Sequence, residues 1–222
     1  MPKLRQVGKA KLPLKQPSGL AYDPVRAQLW SVGDEGPQVL AIDPADGEIV
    51  GAVELSGGIR DCEGIAVAPD GDGLWVVAER TRQVARFDMR GRLIDAVTIP
   101  ITGDENHGLE GITVDPATGR VFVVHEKRPR VLVELDVDLR IVSVHESRAL
   151  DDLSGVCAHD GALWLVSDES RKLVRCRVDA RGVHEEKSYE IGRDHAEGVA
   201  FVGNRAYLVF DDDGKNLRWY EL

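Results

Sequence analysis

A pattern of about 44 residues occurs five times in this chain of 222 residues, and it restricts the fold more than any other feature. Each copy opens with Glu or Ser followed by Gly, runs through an apolar segment into a turn, and continues through a second apolar segment that ends on an acid. The opening glycines, here called the marker glycines, are Gly19, Gly64, Gly111, Gly155 and Gly198. They are 45, 47, 44 and 43 residues apart, a period typical of propeller blades or helical arrays.

The apolar segments indicate strands rather than helices. They are short, rich in Val, Ile, Leu and Trp, and separated by Asp-Pro, Asp-Gly or Arg-Gly turns. In the third repeat we predict strand A at EGITV, strand B at RVFVVHE, strand C at RVLVELD and strand D at RIVSVHE. Each repeat is therefore interpreted as a four-stranded antiparallel blade.

The length of the chain fits five blades. Six blades would each have about 37 residues, below the ~40–45 typical of four-stranded blades. The fifth repeat stops 24 residues after Gly198 and lacks a fourth segment, which residues 5–13 can supply. We therefore predict one all-β domain over residues 1–222, a five-bladed β-propeller with blades that start near residues 17, 62, 109, 153 and 196, in which the N-terminal strand closes the last blade.

Composition excludes some classes of partner. The net charge of -10 and the absence of a Lys/Arg-rich run argue against binding to nucleic acid. Three cysteines without a C-x-x-C motif indicate neither a disulfide framework nor a zinc site. The first residues contain no apolar stretch, so we expect no signal peptide or membrane segment in this chain and a cytoplasmic location. An export or membrane segment missing from the chain would leave the same pattern.

Two sets of acidic positions are expected at one mouth of the central channel, because strand A starts where the antiparallel strand B ends. The first set precedes the marker glycines and consists of Glu63, Glu110 and Glu197, with Ser18 and Ser154 at the equivalent positions. The second set closes strand B and consists of Asp34, Glu79, Glu126, Asp168 and Asp211, with Glu35 and Glu169 one residue further on. The two sets are 16, 16, 16, 14 and 14 residues apart. The regular spacing indicates that they pair in every blade.

Converging carboxylates raise one another's pKa and favour a bound cation. Ca²⁺ takes six to eight oxygen ligands at about 2.3–2.6 Å, so we predict a calcium site at this mouth. The candidate metal ligands are Glu63, Glu110, Glu197, Glu79, Glu126, Asp168, Glu169 and Asp34. A purely structural role remains an alternative, in which the acids accept backbone N–H bonds or pair with the basic residues Arg80, Lys127, Arg128, Arg171 and Lys215 that follow several of them.

Histidines and basic side chains near the same mouth are candidates for holding an anion or a substrate. His107 and His195 both come just before a strand A, so each is a candidate base or ligand. Lys127 and Arg171 follow acids of the second set and are candidates for contacts with an anion. The chain contains no G-x-S-x-G, H-E-x-x-H, P-loop or dinucleotide motif.

An ordered set of short motifs resembles a known family. The segments NHGLEGITVD, DDLSGV, LVSDESRKL and AEGVAF, with the strand RVLVELD after HEKRP, together resemble the bacterial SdiA-regulated (YjiK-like) family and, more distantly, the NHL-repeat propellers. The resemblance runs from about Pro17 to the C-terminus. It implies a five-bladed propeller with a calcium site in the channel and no established reaction, with Glu63, Glu110 and Glu197 as ligands and Glu79, Glu126 and Asp168 or Glu169 beside them.

Two functions of different classes follow. The first is a calcium-binding propeller that binds a small molecule or a protein at the channel mouth without catalysing a reaction. The second is a metal-dependent hydrolase of the lactonase or phytase-like type, in which Glu110 or His107 acts as the base. The sequence favours the first, because lactonases of that type usually use Asn and Asp ligands on six blades.

Overall fold

The predicted five-bladed propeller is confirmed. The computed structural model describes residues 2–103, 107–148, 150–192, 195–211 and 214–222, and these residues form twenty β-strands and no α-helix. The strands make five separate four-stranded antiparallel sheets. Among the described residues, no helix is long and apolar enough to cross a membrane.

The strands follow the repeat. The N-terminal strand is β1 (Arg5–Ala10). Blade 1 contains β2 (Pro17–Asp23), β3 (Gln28–Gly33), β4 (Gln38–Ile42) and β5 (Ile49–Glu54). Blade 2 contains β6 (Cys62–Val67), β7 (Gly73–Ala78), β8 (Gln83–Asp88) and β9 (Leu93–Thr98). Blade 3 contains β10 (Leu109–Val114), β11 (Val121–His125), β12 (Val131–Leu135) and β13 (Ile141–Glu146).

The last two blades complete the ring. Blade 4 contains β14 (Gly155–His159), β15 (Ala162–Ser167), β16 (Lys172–Asp179) and β17 (Gly182–Glu190). Blade 5 contains β18 (Ala196–Val202), β19 (Arg205–Phe210) and β20 (Leu217–Glu221), and β1 adds its fourth strand. The chain therefore supplies the outermost strand of its last blade from its N-terminal end, as predicted.

Contacts between the two ends of the chain close the ring. Strand β1 pairs antiparallel with β20, and Gly8 lies opposite Trp219. Asn216 is buried, and it accepts the backbone N–H of Leu12 at 2.7 Å and donates to the Leu12 carbonyl at 3.2 Å. A Cβ at Gly8 would lie 2.1 Å from the Trp219 ring, so this position requires glycine.

The apolar core lies between neighbouring blades. One cluster joins Trp30 and Val32 of β3 to Ile65 of β6 and Val76 of β7. Strand B of each blade, which lies inside its sheet, is covered on both faces and is almost continuously apolar, whereas the outermost strands of blades 1 to 3 alternate between exposed and partly buried residues. Burial on both faces explains the absence of a period-2 pattern in the inner strands.

The five A strands surround the channel and approach one another closely at the marker glycines. A Cβ at Gly64 would lie 2.8 Å from the Cα of Gly111, and a Cβ at Gly155 would lie 2.4 Å from the carbonyl oxygen of Glu197. The void at this ring of glycines measures about 10 Å³. Such a space holds about one water molecule at most, so the ring of glycines separates the two mouths of the channel.

We expect Gly8→Ala to lower the free energy of unfolding, because the added Cβ would overlap the Trp219 ring. Overpacking of this kind costs about 1–3 kcal/mol. Urea denaturation measures the change. Gly51→Ala is the matched control, because Gly51 also lies in an outermost strand and its Cβ would meet only Ala41 at 3.6 Å. Equal stability of the two variants would contradict the proposed role of Gly8.

Candidate functional site

A β-bulge redirects the acidic side chain at the start of strand A. In blade 2, Cys62 pairs with Ala78 and Gly64 pairs with Val77, so the pairing passes over Glu63. The same irregularity passes over Ser18, Glu110 and Glu197 in their blades. Bulges change the direction of a side chain relative to the pleat, and all four of these residues line the cavity at one end of the channel.

The acid after strand B is fixed by a backbone bond to the segment before strand A. The N–H of Glu79 donates to the carbonyl of Asp61 at 2.9 Å, and the N–H of Glu126 donates to that of Gly108 at 3.0 Å. Equivalent bonds hold the acids of blades 1 and 5, Asp34 and Asp211. In these four blades the hairpin thus extends one residue beyond strand B and places the second acid beside the start of strand A.

The acids surround a cavity of about 340 Å³, which we call the acidic mouth. Its acidic lining consists of Asp34, Glu63, Glu79, Glu110, Glu126, Asp152, Asp168, Glu169, Glu197 and Asp211. The other lining residues are Gln16, Ser18, His107, Lys127 and Ser154. Carboxylates therefore far outnumber basic groups around this cavity.

Three carboxylates lie within range of one cation. One oxygen each from Glu79, Glu110 and Glu126 lies within 4.8 Å of the other two. Oxygens bound to a common Ca²⁺ at about 2.4 Å are separated by no more than ~4.8 Å, so the spacing fits this ion. Among the described residues, the Glu110 carboxylate accepts no hydrogen bond, which leaves its oxygens available as ligands.

Neighbouring groups hold the other two members of this trio in place. Glu79 accepts the backbone N–H of Gly108 at 3.2 Å. One oxygen of Glu126 lies 2.7 Å from Nδ1 of His107, and its other oxygen lies 2.7 Å from Nζ of Lys127. The trio therefore combines one carboxylate without a hydrogen bond and two that are already oriented.

Burial and mutual repulsion disfavour the ionised form of the first acidic set. Burial raises the pKa of Glu63 to about 7, although a hydrogen bond from Ser18 opposes the shift. Burial and the nearby Asp168 raise the pKa of Glu197 to about 8. Burial, with Glu63 and Glu197 nearby, raises the pKa of Glu110 well above its ordinary value. These carboxylates would ionise more readily beside a cation.

Lys127 supplies a positive charge on one side of the acidic mouth. Its Nζ lies 2.7 Å from Oε1 of Glu126 and 2.8 Å from Oε1 of Glu169. This pair of contacts joins blades 3 and 4. Burial opposes its positive charge, but the hydrogen bonds to Glu126 and Glu169 raise the pKa of Lys127. This is one of the ion pairs that the structural alternative predicts. Arg80 is another basic residue of that alternative, and its Nη1 lies 3.5 Å from Oδ1 of Asp61.

Blade 4 departs from the repeat because the start of its strand A lacks the bulge, and Ser154 stands in place of the glutamate, as Ser18 does in blade 1. Asp152 is buried there and accepts hydrogen bonds from the hydroxyls of Ser154 and Ser167. It also accepts the backbone N–H groups of Asp168 and Glu169, at 3.2 and 3.1 Å. Asp152 therefore holds the loop that presents two acids to the cavity.

The sequence analysis did not assign Asp152 a role. Its signal in the sequence is an acid two residues before Ser154, which stands in place of the glutamate. The structure adds that the bulge is missing from this blade. An acid at that offset compensates for the missing glutamate by fixing the loop after strand B.

The structure brings most of the predicted site residues together. All eight candidate metal ligands line the acidic mouth, and so do His107 and Lys127. His195 lies outside the lining, with its side chain 67% exposed and its Nδ1 2.8 Å from Asp168. Arg171 is also outside the lining, and its backbone N–H donates to the Asp168 carbonyl at 3.0 Å. Asn106, part of the family-like motif, lies outside the described residues.

Solved structures share the propeller fold at low sequence identity. The glutaminyl cyclase of Myxococcus xanthus is 13% identical, with a TM-score of 0.68 over 99% of this chain and 97% of that chain. A nidogen/laminin complex contains a chain with 17% identity and a TM-score of 0.65, over 93% of this chain and 84% of that one. Virginiamycin B lyase from Staphylococcus aureus is 16% identical, with a TM-score of 0.61 over 96% of this chain and 69% of that one. These similarities establish the fold alone.

The sequence itself identifies the family. The sequence model of the SdiA-regulated family matches residues 9–204, which extend from the strand that closes the ring into the last blade. This range includes every candidate metal ligand named above. The chain therefore belongs to the SdiA-regulated family.

Proposed function

We propose that this protein binds Ca²⁺ at the acidic mouth and uses the occupied site to bind a small molecule or a partner protein. The observation that carries the proposal is the trio of Glu79, Glu110 and Glu126, whose oxygens lie within 4.8 Å of one another. A cluster of this kind is costly without a counter-charge, because like charges at short range repel strongly in a partly buried site.

The chemistry of the lining supports calcium over softer metals. The acidic mouth offers carboxylate, amide and hydroxyl oxygens, with His107 as its one described imidazole and no cysteine. Hard cations prefer oxygen ligands, whereas zinc and copper sites usually use imidazole or thiolate. Glu79, Glu110 and Glu126 would hold the ion, and Glu63 and Glu197 would add negative charge beside it.

The occupied mouth would also suit a ligand with oxygen donors. A bound divalent cation with open coordination positions accepts carboxylate or phosphate oxygens from a partner. Lys127 adds a second positive charge next to Glu126. The binding module is therefore the function that these contacts support best.

We expect Glu110→Gln to weaken Ca²⁺ binding by roughly tenfold or more, because an amide removes one negative charge from the ligand set. Isothermal titration of the chelator-treated protein measures the affinity, and thermal melting measures the accompanying stabilisation. Glu54→Gln is the matched control, because it removes the same charge from an outermost strand. Absence of heat and of any melting shift with millimolar Ca²⁺ in the parent protein would contradict the proposal.

We expect the metal-free protein to lose stability as pH rises from about 4.5 to about 8. Glu197 has a raised pKa in the folded protein, so over this range the folded state keeps a proton that the unfolded state has released. The free energy of unfolding therefore falls as pH rises through this range, and the loss is complete above the raised pKa of Glu197. Each kcal/mol lost lowers the melting temperature by about 2–4 °C.

Melting curves in chelator across this pH range measure the effect. Glu197→Gln should flatten the pH dependence, because the amide does not titrate, and Ca²⁺ should restore stability at the alkaline end. A slope that is unchanged in Glu197→Gln would show that this carboxylate does not titrate as described.

One observation favours the hydrolase as a second candidate. His107 lies 2.7 Å from Glu126, beside the trio, and a histidine oriented by a carboxylate is a suitable general base. A cation bound at this position would supply polarisation of a carbonyl or phosphoryl oxygen. Lys127 would neutralise an anionic substrate. Arg171 does not line the cavity and is therefore a poor candidate for that role.

If the hydrolase candidate is right, His107→Gln should reduce turnover by about 10²–10⁴-fold, the usual contribution of a general base. A panel of lactones and phosphoesters, assayed with Ca²⁺, measures turnover. His184→Gln is the matched control, because His184 also pairs with an acid, Asp179 at 2.9 Å, away from the acidic mouth. Turnover that is equal in both variants would argue against this candidate.

A further inference from the structure

The channel has a second mouth of opposite character. A cavity of about 340 Å³ lies beyond the ring of glycines and is lined by residues of all five blades. We call it the apolar mouth. Its floor and walls include Leu20, Ile65, Ile112, Val156, Val199 and Phe201. The proposed calcium site does not use any of these side chains.

The two mouths are separate sites. The void at the ring of glycines measures about 10 Å³, whereas each mouth measures about 340 Å³. A molecule larger than water therefore cannot pass from one mouth to the other in this structure. A ligand of the apolar mouth must enter from the face that carries the turns between strands A and B.

The polar groups around the apolar mouth have partners within the protein. Asp23 is buried and accepts hydrogen bonds from Arg26 at 2.9 Å and from the backbone N–H of Val25 at 2.9 Å. Thr113 accepts the backbone N–H of Ala158 at 3.0 Å. Asp70 is exposed at the rim and accepts the backbone N–H of Asp72. Among the described residues, the interior of this cavity thus offers no free charge to an ionic ligand.

An aromatic wall forms one side of the cavity. The rings of His159 and Phe201 stack with centroids 4.4 Å apart and an interplanar angle of 6°. Trp164 lies behind Phe201, with ring centroids 4.7 Å apart, and supports its position. Burial lowers the pKa of His159, which keeps its ring uncharged near neutral pH. Phe201 is buried between His159 and Trp164, so a flat ring of a ligand can stack on the outer face of His159, which is only half-buried.

We propose that the apolar mouth binds a small, uncharged aromatic molecule that stacks on His159, whose ring Phe201 supports from behind. The size of the cavity supports this class, because about 340 Å³ is at the lower end of the 300–1,000 Å³ range of ligand pockets and fits a molecule of one or two rings. The rim supports it as well. Val25 is 75% exposed there, and Pro24, Pro69 and Pro116 line the entrance.

Three probes with the same two-ring carbon skeleton test the class of ligand. They are 2-naphthol, which is neutral and aromatic, naphthalene-2-sulfonate, which is charged and aromatic, and decahydro-2-naphthol, which is neutral and aliphatic. Saturation-transfer NMR and calorimetric titration at pH 7 measure their binding to the full chain. We expect 2-naphthol to bind at least tenfold more tightly than the other two. No binding of 2-naphthol, or equal binding of all three, overturns the proposal.

Variants locate the bound ring. His159→Leu keeps the wall apolar but removes the stacking surface, and it should weaken 2-naphthol binding by about 2- to 12-fold, the usual contribution of an aromatic pair. Val25→Asp should weaken binding by placing a charge at the rim. Val137→Asp is the matched control, because Val137 is an exposed valine between β12 and β13 and does not line the cavity. An unchanged affinity in both His159→Leu and Val25→Asp overturns the proposal.

The independence of the two mouths and the occupant of the apolar mouth can each be measured. Glu110→Gln should leave 2-naphthol binding unchanged, and His159→Leu should leave Ca²⁺ binding unchanged, because the ring of glycines lies between the two mouths. Sedimentation measures self-association. A dimer that Val25→Asp dissociates, in a protein that binds no 2-naphthol, would assign this mouth to a second copy of the chain and overturn the proposal.

Discussion

The close approach of the five inner strands around one axis is the constraint on which the rest of the structure depends. Backbone atoms come so near at the marker glycines that a Cβ at Gly64 would lie 2.8 Å from the neighbouring strand. Any larger residue would widen the ring and separate the blades, whose packing against one another makes the core. The same closeness crowds whatever side chains come immediately before these glycines. The acidic mouth is therefore a direct consequence of how the ring packs.

The two ends of the channel differ in chemistry, because carboxylates crowd together at one end and apolar side chains line the other. At the acidic end, one carboxylate per blade in three blades meets a second set from the ends of strand B, and Lys127 compensates only the part of that charge on Glu126 and Glu169. At the other end, the same five strands continue with apolar residues up to the turns. Repetition thus produces two cavities of about 340 Å³ each, and each combines small contributions from several blades.

The fold could be predicted almost completely, whereas the details of the site could not. The repeat gives the number of blades and the strand order, and the incomplete fifth copy indicates that β1 must close the ring. The acids could be placed at one mouth because antiparallel strands fix which ends meet. The bulges that redirect Glu63, Glu110 and Glu197 have no signal in a single sequence, since they depend on local pairing between two strands. The sequence also could not show that Asp152 holds the loop of blade 4 or that His195 and Arg171 lie outside the cavity lining, because loop conformation decides whether a side chain reaches the cavity.

The union of both chain ends in one blade has a consequence for synthesis in the cell. Strand β1 is synthesised before the other strands of the propeller and its partner β20 after all of them, and the bonds between Leu12 and Asn216 join residues 204 positions apart. Four blades can assemble while translation proceeds, yet the ring stays open until the final strands emerge. Throughout that interval β1 and the growing last blade lack their partner strand. Unpaired strand edges promote aggregation, so the nascent chain is exposed to aggregation longest at the blade that closes the ring.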